Sequence, residues 1–411
     1  MKQVKNLSLL IMASLMLSSC GEEENLQSPI DNTEKVELGI TAGVALTKSA
    51  INEGAQTGAT PEMQAMAVYA AGDEYKTDNY GLYTPSTDGW KNTGTDKIYL
   101  SSAVATIYAY HPAYQPDGTT HAMATSGTAL KLDLKGAAVA NTATIPVSIF
   151  AGNTSATDDN TITVPQNYKA SDKKILSAPG EVDYMWAEKK DGNGANAQAC
   201  NGKASNKSIT SSVALNMKHA LSMVSFRIYN NGHYNKDGKL TKIELANNDD
   251  PSTGSKALND GGLAHNSGKP TMKIADGTIE TDASNLATVT YTRIIKTATS
   301  GAADAYYVLP KQGTGSYTGT DAAKNAAATF SILVLPDASA VAKNTIKVTF
   351  TIDGDDYSVN LAADANDGSK AQWEAGKNNI YTVTLSGQEL TLSSVTVAAW
   401  GEGDKKDLDV K

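Results

Sequence analysis

Between residues 36 and 46 the apolar side chains Val36, Leu38, Ile40, Ala42, Val44 and Leu46 fall on every second position, with polar or small residues between most of them. Alternate residues of an extended chain point to opposite faces, so this stretch predicts a long strand with one buried face. Thr47-Lys48-Ser49 follows at once, and a loose Gly-, Ala- and Gln-containing run extends to about Glu62. A core strand therefore gives way to a basic, accessible segment.

Further strands are predicted at 66–70, 97–100, 105–110, 130–134, 144–150, 160–164 and 183–187, with Asp88-Gly89, Pro116-Asp117-Gly118 and Pro179-Gly180 as turns between them. Residues 191–212 form a polar run almost free of large apolar residues, read as a domain boundary or a long loop beside it. In the second half Val213, Leu215 and Met217 alternate into His219, and the apolar parity then shifts to Val224, Phe226 and Ile228, which predicts a bulge or a strand entering a two-sided core. Residues 240–245 form another strand, and 346–352 joined through Asp353-Gly354 to 357–361 form a hairpin whose turn needs positive φ. The last strands are expected at 380–385 and 389–399. Within 389–399, Leu390 and Leu392 are even while Val395, Val397 and Ala399 are odd, so the two faces must swap at Ser393-Ser394. Segments of this length and spacing predict an all-β, sandwich-type architecture in both halves.

Composition agrees: Ala, Thr, Gly, Asn, Asp and Ser dominate, and Phe and Trp number 4 each in 411 residues. At roughly 150 residues per domain the chain holds two or three domains, and two is the expectation. A formal net charge of −9 without a basic cluster argues against a nucleic-acid partner, which recruits concentrated positive charge.

The N-terminus changes the picture. Lys2 and Lys5 precede an apolar run over 7–17, too short to span a bilayer, and Leu17-Ser18-Ser19-Cys20 closes it. Those four residues resemble a lipobox, with an aliphatic residue three places before a lipid-accepting cysteine. The expectation is a signal peptide over 1–19 and an acylated Cys20 that holds the mature chain on a membrane, each buried methylene being worth about 0.8 kcal/mol. Gly21-Glu22-Glu23-Glu24-Asn25 follows, an acidic cluster that resembles a surface-export signal or serves as a solvated tether. With Cys20 lipidated, Cys200 has no intramolecular disulfide partner, and its polar surroundings make it incidental.

Chemistry is sparse. Histidines 111, 121, 219, 233 and 265 show no metal-ligand spacing, and His219, in a strand pattern, reads as a buried histidine with a satisfied hydrogen bond. No G-x-S-x-G elbow, P-loop, dinucleotide fingerprint or H-E-x-x-H occurs, and Asp353-Gly354-Asp355-Asp356 is a hairpin turn rather than a calcium loop. The sequence therefore predicts no catalytic residue, metal or cofactor. Trp90, Trp186, Trp373 and Trp400 with 18 tyrosines leave a sugar-stacking platform as an alternative.

Several segments, in order, resemble the fimbrillin family, the type V pilins of Bacteroidetes-type bacteria. Ile107-Tyr108-Ala109-Tyr110-His111-Pro112 is similar to the family's aromatic strand ending in proline, and Asp183-Tyr184-Met185-Trp186-Ala187 to its acidic-aromatic segment. Leu215 through Ser222 resembles its apolar-His-x-Leu-Ser strand; Trp373-Glu374-Ala375-Gly376-Lys377 with Tyr381-Thr382-Val383 resembles its Trp-x-x-Gly-Lys strand, and Val395 through Trp400 its closing strand. Two features depart from the pattern: Lys48 stands where an arginine is expected, and residues 404–411 are unusually polar.

The resemblance implies two tandem transthyretin-like (Greek-key) β-sandwiches: a lipidated tether over 20–35, an N-terminal domain over 36–205 and a C-terminal domain over 206–411. It implies a structural subunit or tip adhesin of a surface fimbria, attached to the outer membrane through Cys20 before processing. A trypsin-like protease would cut between Lys48 and Ser49 and release the strand carrying Val36, Leu38, Ile40, Ala42, Val44 and Leu46. The groove left behind would accept a strand from another pilin subunit, carrying Leu390, Leu392, Val395, Val397 and Ala399, with or without Leu408 and Val410. Host or bacterial surface ligands are further partners the family implies. A monomeric glycan-binding lipoprotein and a hydrolase are the rival readings.

Overall fold

The computed structural model describes residues 34–41, 63, 65–77, 79–86, 89–115, 128–132, 134, 140–169, 175–190, 192–203, 208–247, 270–281, 290–299, 303–313, 322–340, 346–361, 372–387 and 389–399. The chain is all-β, as its patterning predicts, with 52% of the described residues in strands and 2% in helix. The N-terminal strands are β1 (Val36–Glu37), β2 (Gly39–Thr41), β3 (Met66–Ala71), β4 (Tyr80–Ser86), β5 (Gly89–Asn92), β6 (Tyr99–Leu100) and β7 (Ala105–His111). Next come β8 (Thr144–Pro146), β9 (Thr161–Val164), β10 (Ile175–Leu176), β11 (Met185–Lys189), β12 (Ala197–Ala199), β13 (Ser212–Val213), β14 (Leu215–His219), β15 (Ser222–Asn230) and β16 (Lys239–Asn247). The remainder are β17 (Thr271–Lys273), β18 (Ile279–Glu280), β19 (Thr290–Ala298), β20 (Ala303–Asp304), β21 (Tyr307–Val308), β22 (Thr329–Val334), β23 (Asp337–Ala340), β24 (Ile346–Ile352), β25 (Asp355–Asn360), β26 (Gln372–Trp373), β27 (Lys377–Ser386) and β28 (Glu389–Ala399).

The largest sheet runs β13-β2-β5-β4-β3-β7-β11-β14, with β12 added to β7. Its two end members, β13 and β14, are consecutive stretches of one extended segment separated only by Ala214, so the path returns to its start and the sheet closes into a ring. Closure removes the unpaired edges that an open sheet exposes. The ring encloses Met66, Val68 and Ala70 of β3, Ile107 and Ala109 of β7, Met185 and Ala187 of β11, and Leu215 and Met217 of β14, all 0–1% exposed. The alternate residues Ala67, Tyr69, Tyr108 and Tyr110 face outward into a second core. That outer face is covered by residues 128–132 and 134: Leu130 and Leu134 are buried. Their carbonyls accept hydrogen bonds from the Tyr110 hydroxyl and, at 2.8 Å, from Asn79 Nδ2. The strand expected at 130–134 is therefore an irregular, side-chain-anchored cover; its alternation reflects burial and not a ladder.

The second half packs a five-stranded sheet, β10-β22-β15-β27-β28, against a seven-stranded one built on β20-β19-β16-β24-β25. Phe226 of β15 meets Phe350 of β24 edge to face at 5.8 Å across the shared core. The β24–β25 hairpin turns at Asp353 (φ 51°) and Gly354 (φ 87°), as the Asp-Gly pair predicts. Hydrogen-bonded sheets do not divide at residue 205. Strands β13 and β14 complete the N-terminal ring, whereas β8, β9 and β10 join β17, β19 and β22 of the second half. The polar run at 191–212 carries β12, which pairs with β7, and Cys200, the residue after β12, is wholly buried. Its thiol donates to the Ile209 carbonyl at 3.2 Å and accepts from the Gly202 amide at 3.3 Å.

Candidate functional site

Residues 34–41 close the ring, and they hold Val36, Leu38 and Ile40 of the alternating row. Strand β1 pairs antiparallel with β6, Val36 opposite Leu100 and Glu37 opposite Tyr99. The chain then steps at Leu38 into β2, which lies antiparallel to β5, with Ile40 opposite Trp90, and parallel to β13, with Gly39 opposite Ser212 and Ile40 opposite Val213. The Leu38 amide donates to the Ile98 carbonyl at 2.9 Å, and the Gly39 amide to the Ser211 carbonyl at 2.8 Å. The Tyr83 hydroxyl donates to the Leu38 carbonyl at 2.9 Å. Burial pushes the Tyr83 phenol up, with the nearby Glu37 charge adding to the effect, so it remains a donor throughout the physiological range.

Side-chain placement divides the predicted row. Leu38 and Ile40 are 2% and 3% exposed inside the ring, while Val36 is 37% exposed at its rim. The step from β6 to β5 as partner is what removes Val36 from the interior. Burying two branched aliphatic side chains contributes about 3–6 kcal/mol to holding the strand. Polar contacts frame them: Glu37 pairs with Lys97 at 3.2 Å, Glu34 pairs with Lys203, and Asn201 Nδ2 donates to the Glu34 carbonyl at 2.9 Å. A Cβ at Gly39 would lie 2.7 Å from Ser212 Oγ, so β2 and β13 approach closely there. Nothing in the sequence marks Tyr83, Lys97 or Lys203 as partners of this strand, because each is brought to it only by ring closure. Cys20, Ala42, Val44, Leu46, Lys48 and Ser49 lie outside the described residues, as do Leu408 and Val410.

At the other end of the chain, β28 pairs with β27 along its whole length. Leu392 lies opposite Val383 and Ser394 opposite Thr382, so Ser393 is an extra, bulged residue where the parity of the sequence changes. The bulge sets positions 390, 392, 395, 397 and 399 opposite Leu385, Val383, Tyr381, Asn379 and Lys377. Leu390 and Leu392 are half-buried and pack against the core of the second half.

Other candidates resolve into structural roles. His219 is buried, with Nδ1 at 2.8 Å from Asp183 Oδ2, as its strand position predicts; His111, also buried, has Nδ1 at 2.8 Å from the Asp183 carbonyl oxygen. Trp373 is wholly buried and donates to the Tyr381 hydroxyl at 3.0 Å, and Trp186 packs against Gly277, so these two belong to no exposed stacking row. Arg293 and Glu181, unremarkable in sequence, form an ion pair in which neither side chain is exposed. The Arg293 guanidinium also donates to the carbonyls of Phe150, Ala151 and Thr292, so Phe150, Ala151 and Glu181 are tied to β19.

A sequence model described as fimbrillin-like matches residues 45–400. The chain belongs to that family. Among curated proteins none matches this fimbrillin-like chain significantly. Solved structures similar to it include a candidate cell adhesion protein from Bacteroides uniformis, 16% identical, with a TM-score of 0.47 over 89% of this chain and 99% of that one. A fimbrial protein from Bacteroides vulgatus is 13% identical, with a TM-score of 0.44 over 82% of this chain and 93% of that one. A fimbrial assembly protein from Parabacteroides distasonis is 9% identical, with a TM-score of 0.32 over 84% and 91%.

Proposed function

We propose that this fimbrillin-like chain is a subunit of a surface fimbria, stalk or tip, that is exported as a lipoprotein through Cys20, cut after Lys48 and joined to its neighbour by strand addition. The observation that carries this reading is that residues 39–41 form the stave between β5 and β13, with Leu38 and Ile40 in the ring's core. Cutting after Lys48 detaches that stave from the rest of the chain. Its departure exposes the backbone groups of β5 and β13 and opens two apolar seats, an arrangement that only another extended strand satisfies in full.

Backbone ladder bonds then supply affinity and the alternate seats supply register. The donor comes from the C-terminal region of another copy, residues 389–411. Cys20 in this scheme is a temporary anchor, discarded with the stave. The test is Lys48→Ala in the full-length precursor. A folded, lipidated chain that no longer forms fibres is the expected result, and normal fibre yield overturns the proposal.

A further inference from the structure

Across β13 from the stave, the ring wall has an opening. Strand β12 is bonded to β7 and β13 to β2, and the two approach within 8 Å between Cα atoms without sharing a ladder. At one end of this gap the Cys200 amide donates to the Thr210 carbonyl at 3.1 Å; at the other the Lys190 amide donates to the Ala214 carbonyl at 3.0 Å. The cleft between these bridges has a volume of about 510 Å³, inside the range of about 300–1,000 Å³ usual for small-molecule sites. Because backbone bonds tie both ends, an extended peptide cannot run through the gap. Only a compact ligand fits.

Its lining is positive. Lys189 and Lys190 are both exposed, and neither is in an ion pair among the described residues. The described lining holds no carboxylate. The neighbouring Glu188 is already engaged by Lys218 at 2.9 Å, Asn216 at 2.8 Å and the Gly194 amide. In a chain of net charge −9, two lysines left uncompensated beside a cleft select an anion. Uncharged groups complete the wall. The Gln198 side-chain amide has no partner among the described residues, and Asn196, whose Nδ2 donates to the Ala187 and Ala275 carbonyls at 3.3 and 3.0 Å, keeps Oδ1 as an acceptor. Ile209 and Ala214, both half-buried, add apolar surface. A small inorganic anion would use the lysines and leave most of the volume unfilled. A carboxylated sugar uses all of it, since its hydroxyls need donors and acceptors and its ring face is apolar. We propose that this cleft binds a carboxylated monosaccharide, the carboxylate on Lys189 and Lys190 and the hydroxyls on Gln198 and Asn196. The assignment does not rest on strand addition.

The experiment titrates the full-length chain by calorimetry with the methyl glycosides of glucuronic, galacturonic and N-acetylneuraminic acid, and with methyl glucoside and methyl galactoside as neutral counterparts. At least one acid should bind with a Kd of about 1 mM, the affinity expected of a ligand of this size. It should bind at least about tenfold more tightly than the neutral sugars, through charge-assisted hydrogen bonds they cannot make. Lys189→Gln and Lys190→Gln should each weaken that binding about fivefold, the worth of an exposed ionic contact, and the double variant should weaken it further. Both side chains are exposed, so neither change threatens the fold. Lys236→Gln, which removes an ion pair with Asp355 in the second half, should leave the affinity unchanged. Three results overturn the assignment: no saturable binding of any of the acids by about 10 mM, an acid bound no better than the neutral sugars, or a double variant that binds as the wild type does. None of these measurements needs cleavage or fibres, so failure here leaves the assembly reading standing.

Discussion

Leu38 offers a direct way to measure how firmly the stave is held. Its side chain is 2% exposed among ring residues, while its backbone bonds to Ile98 and Tyr83 do not depend on side-chain identity. Leu38→Ala therefore removes packing and spares the ladder. A buried Leu→Ala change costs about 2–5 kcal/mol, depending on how far the surroundings collapse. At 1.4 kcal/mol per factor of ten, stave opening should rise at least about 25-fold. Hydrogen exchange at the Gly39 amide, which bonds the Ser211 carbonyl, reports that opening. Val36→Ala is the internal control: at 37% exposure it should shift opening by less than about 0.5 kcal/mol. Amides of the β24–β25 hairpin, in the other half, should be unchanged in both variants. Equal effects at 36 and 38, or acceleration spread evenly across both halves, would refute the idea that β2 is a separately releasable stave.

Three other expectations follow from the geometry. Glu181→Ala strands the wholly buried Arg293 and should lower stability by about 3–5 kcal/mol in urea denaturation, whereas Glu181→Leu with Arg293→Met should lower it less, since the uncompensated charge is gone. Burial alone would raise the Glu188 carboxyl, but hydrogen bonds from Lys218, Asn216 and the Gly194 amide outweigh it and hold the group below its ordinary value of 4.5. A depressed folded value stabilises above the unfolded pKa and is lost as pH falls below about 4.5. Acid titration of wild type against Glu188→Gln should show that loss in the wild type only. Deleting Ser393 leaves Leu392 and Ser394 opposite Val383 and Thr382, the partners they already have, so the bulge goes without a change of register and the denaturation midpoint should shift by a change worth no more than about 1 kcal/mol.

Much of the fold was legible because period-two patterning is local. The β24–β25 hairpin with its Asp-Gly turn, the span 389–399 and the parity break at Ser393 all stand where the sequence predicts them. Strands β4 and β5 were missed: Pro85, Gly81 and Gly89 are turn-formers in isolation, and only their neighbours in the ring make them strands. The polar stretch 191–212 suggested a boundary because short side chains bury little area each, yet β12 and Cys200 are packed there. In the stave itself, alternation foretold Leu38 and Ile40 as interior and could not foretell the partner switch that leaves Val36 outside. Ion-pair partners such as Lys203 are remote in sequence from Glu34 and carry no local signal.

The measurement that bears most directly on the account is mild trypsin treatment of the purified precursor, followed by N-terminal sequencing and electron microscopy of the product. The account predicts a new terminus at Ser49, loss of residues 34–41 from the assembled material, and filaments. Filaments built from chains that still hold residues 34–41 would contradict it.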